Sequence, residues 1–218
     1  DVITININDN PSVSALNTIA GKTAGVVTAT LATGALSTFS ALSTSGTDQI
    51  TVNVNDADGV DLNATDLSAL GAKTAAAVNV TEAVDISGTT AEVTAALVTT
   101  GSLVLVADAN VSISDNPTIS ELNDIAAKTT GVVTATLAST SAADLASLST
   151  AATDVITIPV SDTISVSALN TLAGKTAGVV TATATTGDTA SFSSLATDSN
   201  DVITININDN PSVSALNT

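Results

Sequence analysis

Carboxylates have the clearest capacity for chemistry in this sequence, because they recur in polar turns at regular positions. Hard cations such as Ca²⁺ prefer carboxylate and carbonyl oxygens as ligands. Residues 56–61, Asp-Ala-Asp-Gly-Val-Asp, hold three acids and a turn glycine but lack the downstream glutamate of the helix-loop-helix calcium site. The alternative interpretation is that Asp and Asn occupy these turns for conformational reasons alone. The candidate calcium ligands are Asp9, Asp56, Asp58, Asp61, Asp115, Asp162 and Asp209.

All four lysines occur in one motif, and two copies of it read Gly-Lys-Thr, at 21–23 and 174–176. A phosphate-binding loop also needs a glycine five residues before its second glycine. Those positions hold Leu16 and Leu169, both within apolar stripes. We therefore exclude a phosphate loop and expect the lysines to lie in solvent, near carboxylates.

Catalytic chemistry has little support in the residue types. The chain has no histidine or cysteine, and its Ser and Thr residues occur throughout. A catalytic constellation must break a repeat, and the one break lies near residues 82–110, where no base or nucleophile accompanies the acids. We therefore predict that the protein is not an enzyme. The acids of this region are Glu82, Asp85, Glu92 and Asp108.

Composition narrows the classes of partner. The formal net charge is −17, from 21 acids against 4 lysines, and this charge repels nucleic acid and anionic lipid. With 44% hydrophobic residues, the chain is too apolar to be disordered. No apolar run reaches membrane-spanning length. We therefore expect no nucleic-acid partner and no membrane insertion. The absence of cysteine excludes disulfide and thiolate-metal frameworks and is compatible with an extracellular protein.

Internal repeats organise the chain. Residues 1–18 recur unchanged as residues 201–218, an offset of 200 residues. The lysines are spaced 51, 55 and 47 residues apart, and each interval contains two similar halves averaging 25 residues. We predict that 1–218 is one continuous solenoid segment. In it, 1–200 is one long period of about eight coils, irregular around 82–110, and 201–218 starts the next period.

Alternation of β-branched and polar residues predicts short strands. In residues 3–7 every second residue is Ile, while Thr4 and Asn6 take the other face. Such strands form a parallel sheet when they stack about 4.8 Å apart. Similar patterns occur at 26–31, 50–54, 155–160, 179–184 and 202–207.

Apolar residues three positions apart predict a short amphipathic helix after many strands, as in residues 13–19. Ser12 or Ser14 suits the helix start, and Gly21 or Gly174 suits the helix end. We therefore predict an α/β solenoid, a parallel sheet of stacked short strands with short helical segments and about 25 residues per coil. The alternative is an all-β solenoid in which these segments are bent strands, because Ser, Thr and Asn have weak helix propensity. Further stripes lie at 36–42, 119–125 and 166–172.

The outward strand face carries many threonines, for example Thr28 and Thr30. A flat Thr-x-Thr array, with rows about 4.8 Å apart along the axis and about 6.6 Å across, is typical of ice-binding solenoids. Asn at half of the positions and Pro159 interrupt the array. A polar β-branched ladder that suits any solvated strand is the alternative.

The units at 13–30 (Val-Ser-Ala-Leu-Asn-Thr-Ile-Ala-Gly-Lys-Thr-Ala-Gly-Val-Val-Thr-Ala-Thr) and 119–136 resemble repeats of very large bacterial surface proteins. The giant cell-surface proteins of marine cyanobacteria are similar in style. The resemblance covers most of the chain, but its motifs are low in complexity. It implies a secreted, extended protein with a role in surface layers, adhesion or motility.

Together these observations predict a non-catalytic, structural repeat segment of a long extracellular filament or surface fibre at the cell surface. The expected partners are further copies of its own repeat, end to end, because terminal coils of a solenoid need caps. Ca²⁺ and surface glycans are additional candidate partners. The alternatives are a calcium-stabilised adhesin stalk and an ice-binding solenoid with a threonine array.

Overall fold

The computed structural model describes residues 2–101 and 104–213. The chain divides into two compact units. The first comprises Asp1–Ser114 and Ala127–Val132, and the second comprises Asp115–Ala126 and Val133–Thr218. Both units contain short strands that alternate with short helices.

The first unit contains eight strands, four α-helices and one π-helical turn among its described residues. In chain order these are β1 (Ile5–Asn6), α1 (Val13–Ala20), β2 (Val27–Thr30), α2 (Leu36–Phe39), β3 (Gln49–Val54), β4 (Asp61–Asn63), α3 (Ala64–Gly71), β5 (Val78–Val80), β6 (Asp85–Gly88), α4 (Thr90–Val93), the π-helical turn (Thr94–Val98), β7 (Val104–Val106) and β8 (Asn110–Ile113).

The second unit contains four strands and four helices among its described residues. They are α5 (Ile119–Ala126), β9 (Val133–Thr136), α6 (Ala142–Leu145), β10 (Val155–Ile164), α7 (Val166–Ala173), β11 (Val180–Ala184), α8 (Thr189–Phe192) and β12 (Val202–Thr204).

The described strands of each unit pair in parallel. In the first unit the strand orders are β1-β2-β3-β5-β7 and β4-β6-β8, and in the second unit the order is β9-β10-β11-β12. Paired residues lie 20 positions apart where Ile164 meets Ala184, and 26 apart where Val52 meets Val78. The predicted parallel α/β class is therefore confirmed. The all-β alternative is wrong, because helices occupy the segments that it assigned to bent strands.

Period-two alternation correctly predicted the strand faces. In β2, Val27 and Ala29 are buried while Thr28 and Thr30 are exposed. In β3, Ile50, Val52 and Val54 are all fully buried. The end segments are less regular than predicted: only Ile5–Asn6 of residues 3–7 is a strand, and beyond β12 an isolated bridge joins Ile207 to Gly187. Residues 102 and 103, within the irregular region 82–110, lie outside the described residues.

The three-residue spacing correctly predicted the longer helices. Leu16 in α1 and Leu169 in α7 have no exposed surface, and Ser12 caps α1 by accepting the Ala15 N–H at 3.2 Å. Gly21 ends α1 as predicted, but its φ of −68° is right-handed, so the position does not require glycine. Ala72 ends α3 with almost the same backbone angles. The stripe at 36–42 forms only one helical turn, α2.

The core position of Leu67 in α3 gives a first prediction. Leu67 has no exposed surface, so Leu67→Ala should lower the free energy of unfolding by about 2–5 kcal/mol, measured by urea denaturation. Leu105 is 58% exposed on β7, and Leu105→Ala should change that free energy by less than about 0.5 kcal/mol. Equal effects of the two substitutions would contradict the core described here.

Candidate functional site: hydrogen bonds between successive segments

Three aspartates that precede strands each join two segments of chain. We call Asp48, Asp154 and Asp201 the strand-preceding aspartates. One carboxylate oxygen of each accepts, at 2.8 Å, the N–H of a residue 21 positions earlier. That residue is the first of the preceding strand. The other oxygen accepts the N–H of the residue three positions earlier, at 2.8–3.0 Å. Because Asp48 and Asp154 are only 3% exposed, these bonds satisfy charges that burial would otherwise destabilise.

The threonine of each Lys-Thr motif forms the second link. The Thr176 hydroxyl accepts the N–H of Ile156 at 2.8 Å and donates to the carbonyl of Asp154 or of Ile156. Thr74 makes the corresponding bonds with Asp48 and Ile50. Both threonines are buried. The Thr176 hydroxyl and the Asp154 carboxylate therefore together fix the backbone where the chain enters β10.

A glycine two positions after three of these threonines lets the two backbones approach each other, whereas Ala76 takes this place after Thr74. The hydroxyl of Thr23 accepts the Gly25 N–H at 2.9 Å, and a Cβ on Gly25 would lie 2.5 Å from the carbonyl oxygen of Ile3. Gly178 has the same relation to Ile156. Glycine is needed here for space, not for a left-handed backbone.

Helix asparagines form the third link, in the opposite direction along the chain. Asn17, Asn123 and Asn170 occupy equivalent positions in α1, α5 and α7. The side-chain amide of each donates to a carbonyl 24 residues later, at 2.7–2.9 Å. Its oxygen accepts an N–H 26 residues later, at 2.8–2.9 Å. Ser68 takes this place in α3 and donates to Thr65 within its own helix instead.

Three of the aspartates that we predicted as calcium ligands accept backbone N–H groups at the start of short helices. Asp56 and Asp209 follow strands as expected, whereas Asp162 lies within β10. Asp56 accepts the Leu36 N–H and Asp162 accepts the Ala142 N–H, each at 2.7 Å from a residue 20 positions earlier. Asp209 accepts the N–H of Thr189 at 3.2 Å and also bonds its hydroxyl. Asp9 makes no such bond within the described residues, and Asp115 has partners of its own.

The acids of residues 56–61 do not come together as a metal site. Asp58 accepts the Ala83 N–H at 3.1 Å, whereas Asp56 and Asp61 line a groove of about 520 Å³ with Phe39 and Leu70. In the part of the chain that the structure describes, no three acidic side chains are grouped as a metal ion would require. Calcium binding by Asp9, Asp56, Asp58, Asp61, Asp115, Asp162 or Asp209 stays a prediction.

Two acids of the irregular region 82–110, Glu92 and Asp85, have structural partners. Glu92 caps α4 by accepting the Thr89 N–H at 2.8 Å, and Asp85 accepts the side-chain amide of Asn110 at 2.8 Å. The π-helical turn Thr94–Val98 lies in this region and contains a buried hydroxyl, on Thr94, without a hydrogen-bond partner.

Lys175, a lysine of the repeated motif, bonds to backbone carbonyls of the preceding segment. Its Nζ donates to the carbonyl of Ala146 at 3.2 Å and to that of Leu148, just after α6. A cation at this position stabilises unpaired carbonyls at a helix C-terminus. This lysine therefore bonds to carbonyls, whereas the sequence led us to expect carboxylates.

Two exposed carboxyls have pKa values below their ordinary range. Hydrogen bonds from the N–H and hydroxyl of Thr118 lower the pKa of Glu121, and the hydroxyl and N–H of Ser191 lower that of Asp188. A lowered folded-state pKa means that the ionised group stabilises the fold above the unfolded pKa. That contribution is lost as the pH falls through the folded value.

The outward strand face is more mixed than a threonine array. The register places Thr134 beside Val155 and Thr181 beside Val202, and both valines are exposed. In the first unit, Asn79 donates to Asn53 at 2.9 Å across the same face. Rows of identical threonines are therefore short, as the asparagines and Pro159 had suggested.

No protein-family model matches the chain, and no curated protein or solved structure matches it either. The resemblance to bacterial surface repeats therefore stays a prediction. Among the described residues, no helix has the length and apolar character needed to cross a bilayer.

Sequence reasoning assigned no role to the strand-preceding aspartates. It also concentrated on the lysines, although the threonine after each lysine bonds to the preceding segment, and two of these threonines, Thr74 and Thr176, do so in the core. A usable signal is present in the sequence: Thr follows all four lysines, at positions 23, 74, 129 and 176. Recurrence of a small polar residue beside a buried strand indicates a structural hydrogen bond.

The two bonds to Asp154 give a second prediction. In Asp154→Asn the side-chain NH₂ faces one of the two N–H donors, so the free energy of unfolding should fall by about 1–3 kcal/mol. Asp124 on α5 is exposed, and Asp124→Asn removes the same charge. Urea denaturation should show a change below about 0.5 kcal/mol for Asp124→Asn. Similar losses in both variants would attribute the effect to net charge.

Proposed function

We propose that this chain is a structural, non-catalytic repeat segment of a long extracellular filament or surface fibre. The parallel ladders would continue as an α/β solenoid, in a surface layer, an adhesive structure or a motility structure. The proposal rests mainly on one observation: equivalent aspartates in successive segments accept backbone N–H groups from residues that lie a fixed 20 or 21 positions earlier in the chain.

The dependence of each segment on its neighbours supports a structural role. Short strands are not stable alone. Here the Val133 N–H at the start of β9 is held by the carboxylate of Asp154, 21 residues later, and the Ile156 N–H near the start of β10 by the hydroxyl of Thr176, 20 residues later. Stability then grows by addition of neighbours, as in other repeat proteins. An architecture of this kind suits a protein whose function is to span distance.

The location and partners follow from the same proposal. The absence of cysteine and the charge of −17 are compatible with an extracellular, soluble surface. Further copies of the same repeat are the proposed partners, because the 18-residue segment at 1–18 returns at 201–218. Surface glycans remain candidates without a specific residue to name.

Electron microscopy of longer chains tests the proposal. Polypeptides with one, two and three copies of residues 1–200 should form particles whose length grows by about 40 Å per copy. This figure follows from about eight strand steps of about 4.8 Å each. Compact particles that grow equally in all directions would contradict a filament segment.

Calcium gives a separate prediction. Because Asp56, Asp162 and Asp209 already accept backbone N–H groups, we expect the melting temperature to be the same in Ca²⁺ and in chelator. Scanning calorimetry at fixed ionic strength, with Mg²⁺ as the control cation, measures this. A rise specific to Ca²⁺, abolished by Asp58→Asn, would support the calcium-stabilised stalk instead.

A further inference from the structure

Three asparagines of the first unit occupy the Asn-x-Ser/Thr pattern that is modified by N-glycosylation. The pattern needs a residue other than proline in its second position, because proline prevents the modification. Three further asparagines followed by x-Ser/Thr have proline there and are excluded, namely Asn10, Asn116 and Asn210. The remaining candidate sites are Asn63, Asn79 and Asn110.

The fold already uses the side-chain nitrogen of two of these asparagines. Nδ2 of Asn79 donates to Asn53 on the neighbouring strand β3 at 2.9 Å, and Asn79 is only half-exposed. Nδ2 of Asn110 donates to Asp85 on β6 at 2.8 Å, while its Oδ1 accepts the Val132 N–H at 2.9 Å. A sugar on either nitrogen would crowd the neighbouring strand or break its hydrogen bond.

Asn63 has the opposite arrangement, because only its oxygen is used. Its side chain is exposed, and Oδ1 accepts the Thr65 N–H at 2.8 Å as the cap of α3. Among the described residues, Nδ2 of Asn63 makes no hydrogen bond. N-glycosylation replaces one hydrogen of Nδ2 and leaves Oδ1 unchanged, so the helix cap is compatible with a glycan.

The surroundings of Asn63 leave room for a sugar. Asn63 is the last residue of β4, which is the end strand of its sheet and has β6 as its strand neighbour among the described residues. Asn63 also lines the groove of about 520 Å³, a volume within the range of small-molecule sites. Asp61 and Asp66 line the same groove, where their carboxylates can accept hydrogen bonds from sugar hydroxyls.

We propose that Asn63 is an N-glycosylation site and that the folded chain carries no glycan at Asn79 or Asn110. Nδ2 of Asn63 attacks the anomeric carbon of an oligosaccharide linked to a polyprenyl diphosphate, in a reaction catalysed by an oligosaccharyltransferase. A C–N bond forms, the C–O bond to the diphosphate breaks, the polyprenyl diphosphate leaves with the electron pair, and the amide loses one proton. The inference rests on the extracellular location in the proposed function.

Secretion of the whole chain from a eukaryotic host that contains an oligosaccharyltransferase tests the site. The secreted, folded chain is treated with an amidase that removes N-glycans and converts each modified asparagine to aspartate, and its peptides are then mapped by mass spectrometry. Residue 63 should be converted in most secreted chains, whereas Asn79 and Asn110 should stay unconverted.

Matched variants at residue 65 separate recognition of the pattern from folding. Thr65→Ala should abolish the glycan, because the hydroxyl of the pattern is lost, whereas the cap bond uses the backbone N–H and is kept. Thr65→Ser should retain the glycan. Thr81→Ala removes the pattern at Asn79 and should leave modification of residue 63 unchanged. Circular dichroism of each variant checks that the chain is folded.

The outcomes separate this proposal from the filament function. A glycan confined to residue 63, lost in Thr65→Ala and kept in Thr65→Ser, supports the site. Folded, secreted chains without a glycan there, or with equal occupancy at Asn79 or Asn110, overturn it. If longer polypeptides still lengthen in proportion to copy number while residue 63 stays unmodified, the filament function stands without the glycan. Compact particles of a chain that is glycosylated at residue 63 would contradict the filament function alone.

Discussion

The hydrogen bond from a backbone N–H to the carboxylate of an aspartate 21 residues later is the interaction on which the rest of this structure depends. A buried carboxylate is unfavourable unless it is bonded, and a strand that begins at a segment boundary has N–H groups that its ladder does not use. Asp48 and Asp154 satisfy both needs at once. The strands β2 and β9 therefore begin at positions fixed by the next segment.

Around this bond, the other links have distinct tasks. Threonine hydroxyls such as that of Thr176 bind the strand that the aspartate precedes, and asparagines such as Asn170 hold the loop after the following short helix. A core of Val, Ile, Leu and Ala fills the space between strands and helices. Small aliphatic side chains give modest burial per residue, so polar links at each boundary supply both stability and register.

Local periodicity made much of the fold predictable. Alternation identified β3 and β10, and the three-residue stripe identified α1 and α7, because both signals depend on neighbours in sequence. The links between segments were not predictable in this way, since Asp154 and its donor Val133 are far apart in the chain. The aspartates predicted as calcium ligands illustrate the difference. Their regular recurrence is visible in the sequence, but the bond between the Asp56 carboxylate and the Leu36 N–H depends on how the segments stack.

Hydrogen exchange at single amides tests the central role of the strand-preceding aspartates most directly. The amides of Val27, Val133 and Val180 should exchange as slowly as those of buried strands, although their acceptors are side chains. In Asp154→Asn, exchange of the Val133 amide should accelerate strongly while that of Val27 stays unchanged. Rapid exchange of all three amides in the unsubstituted protein, at rates typical of exposed loops, would contradict the account.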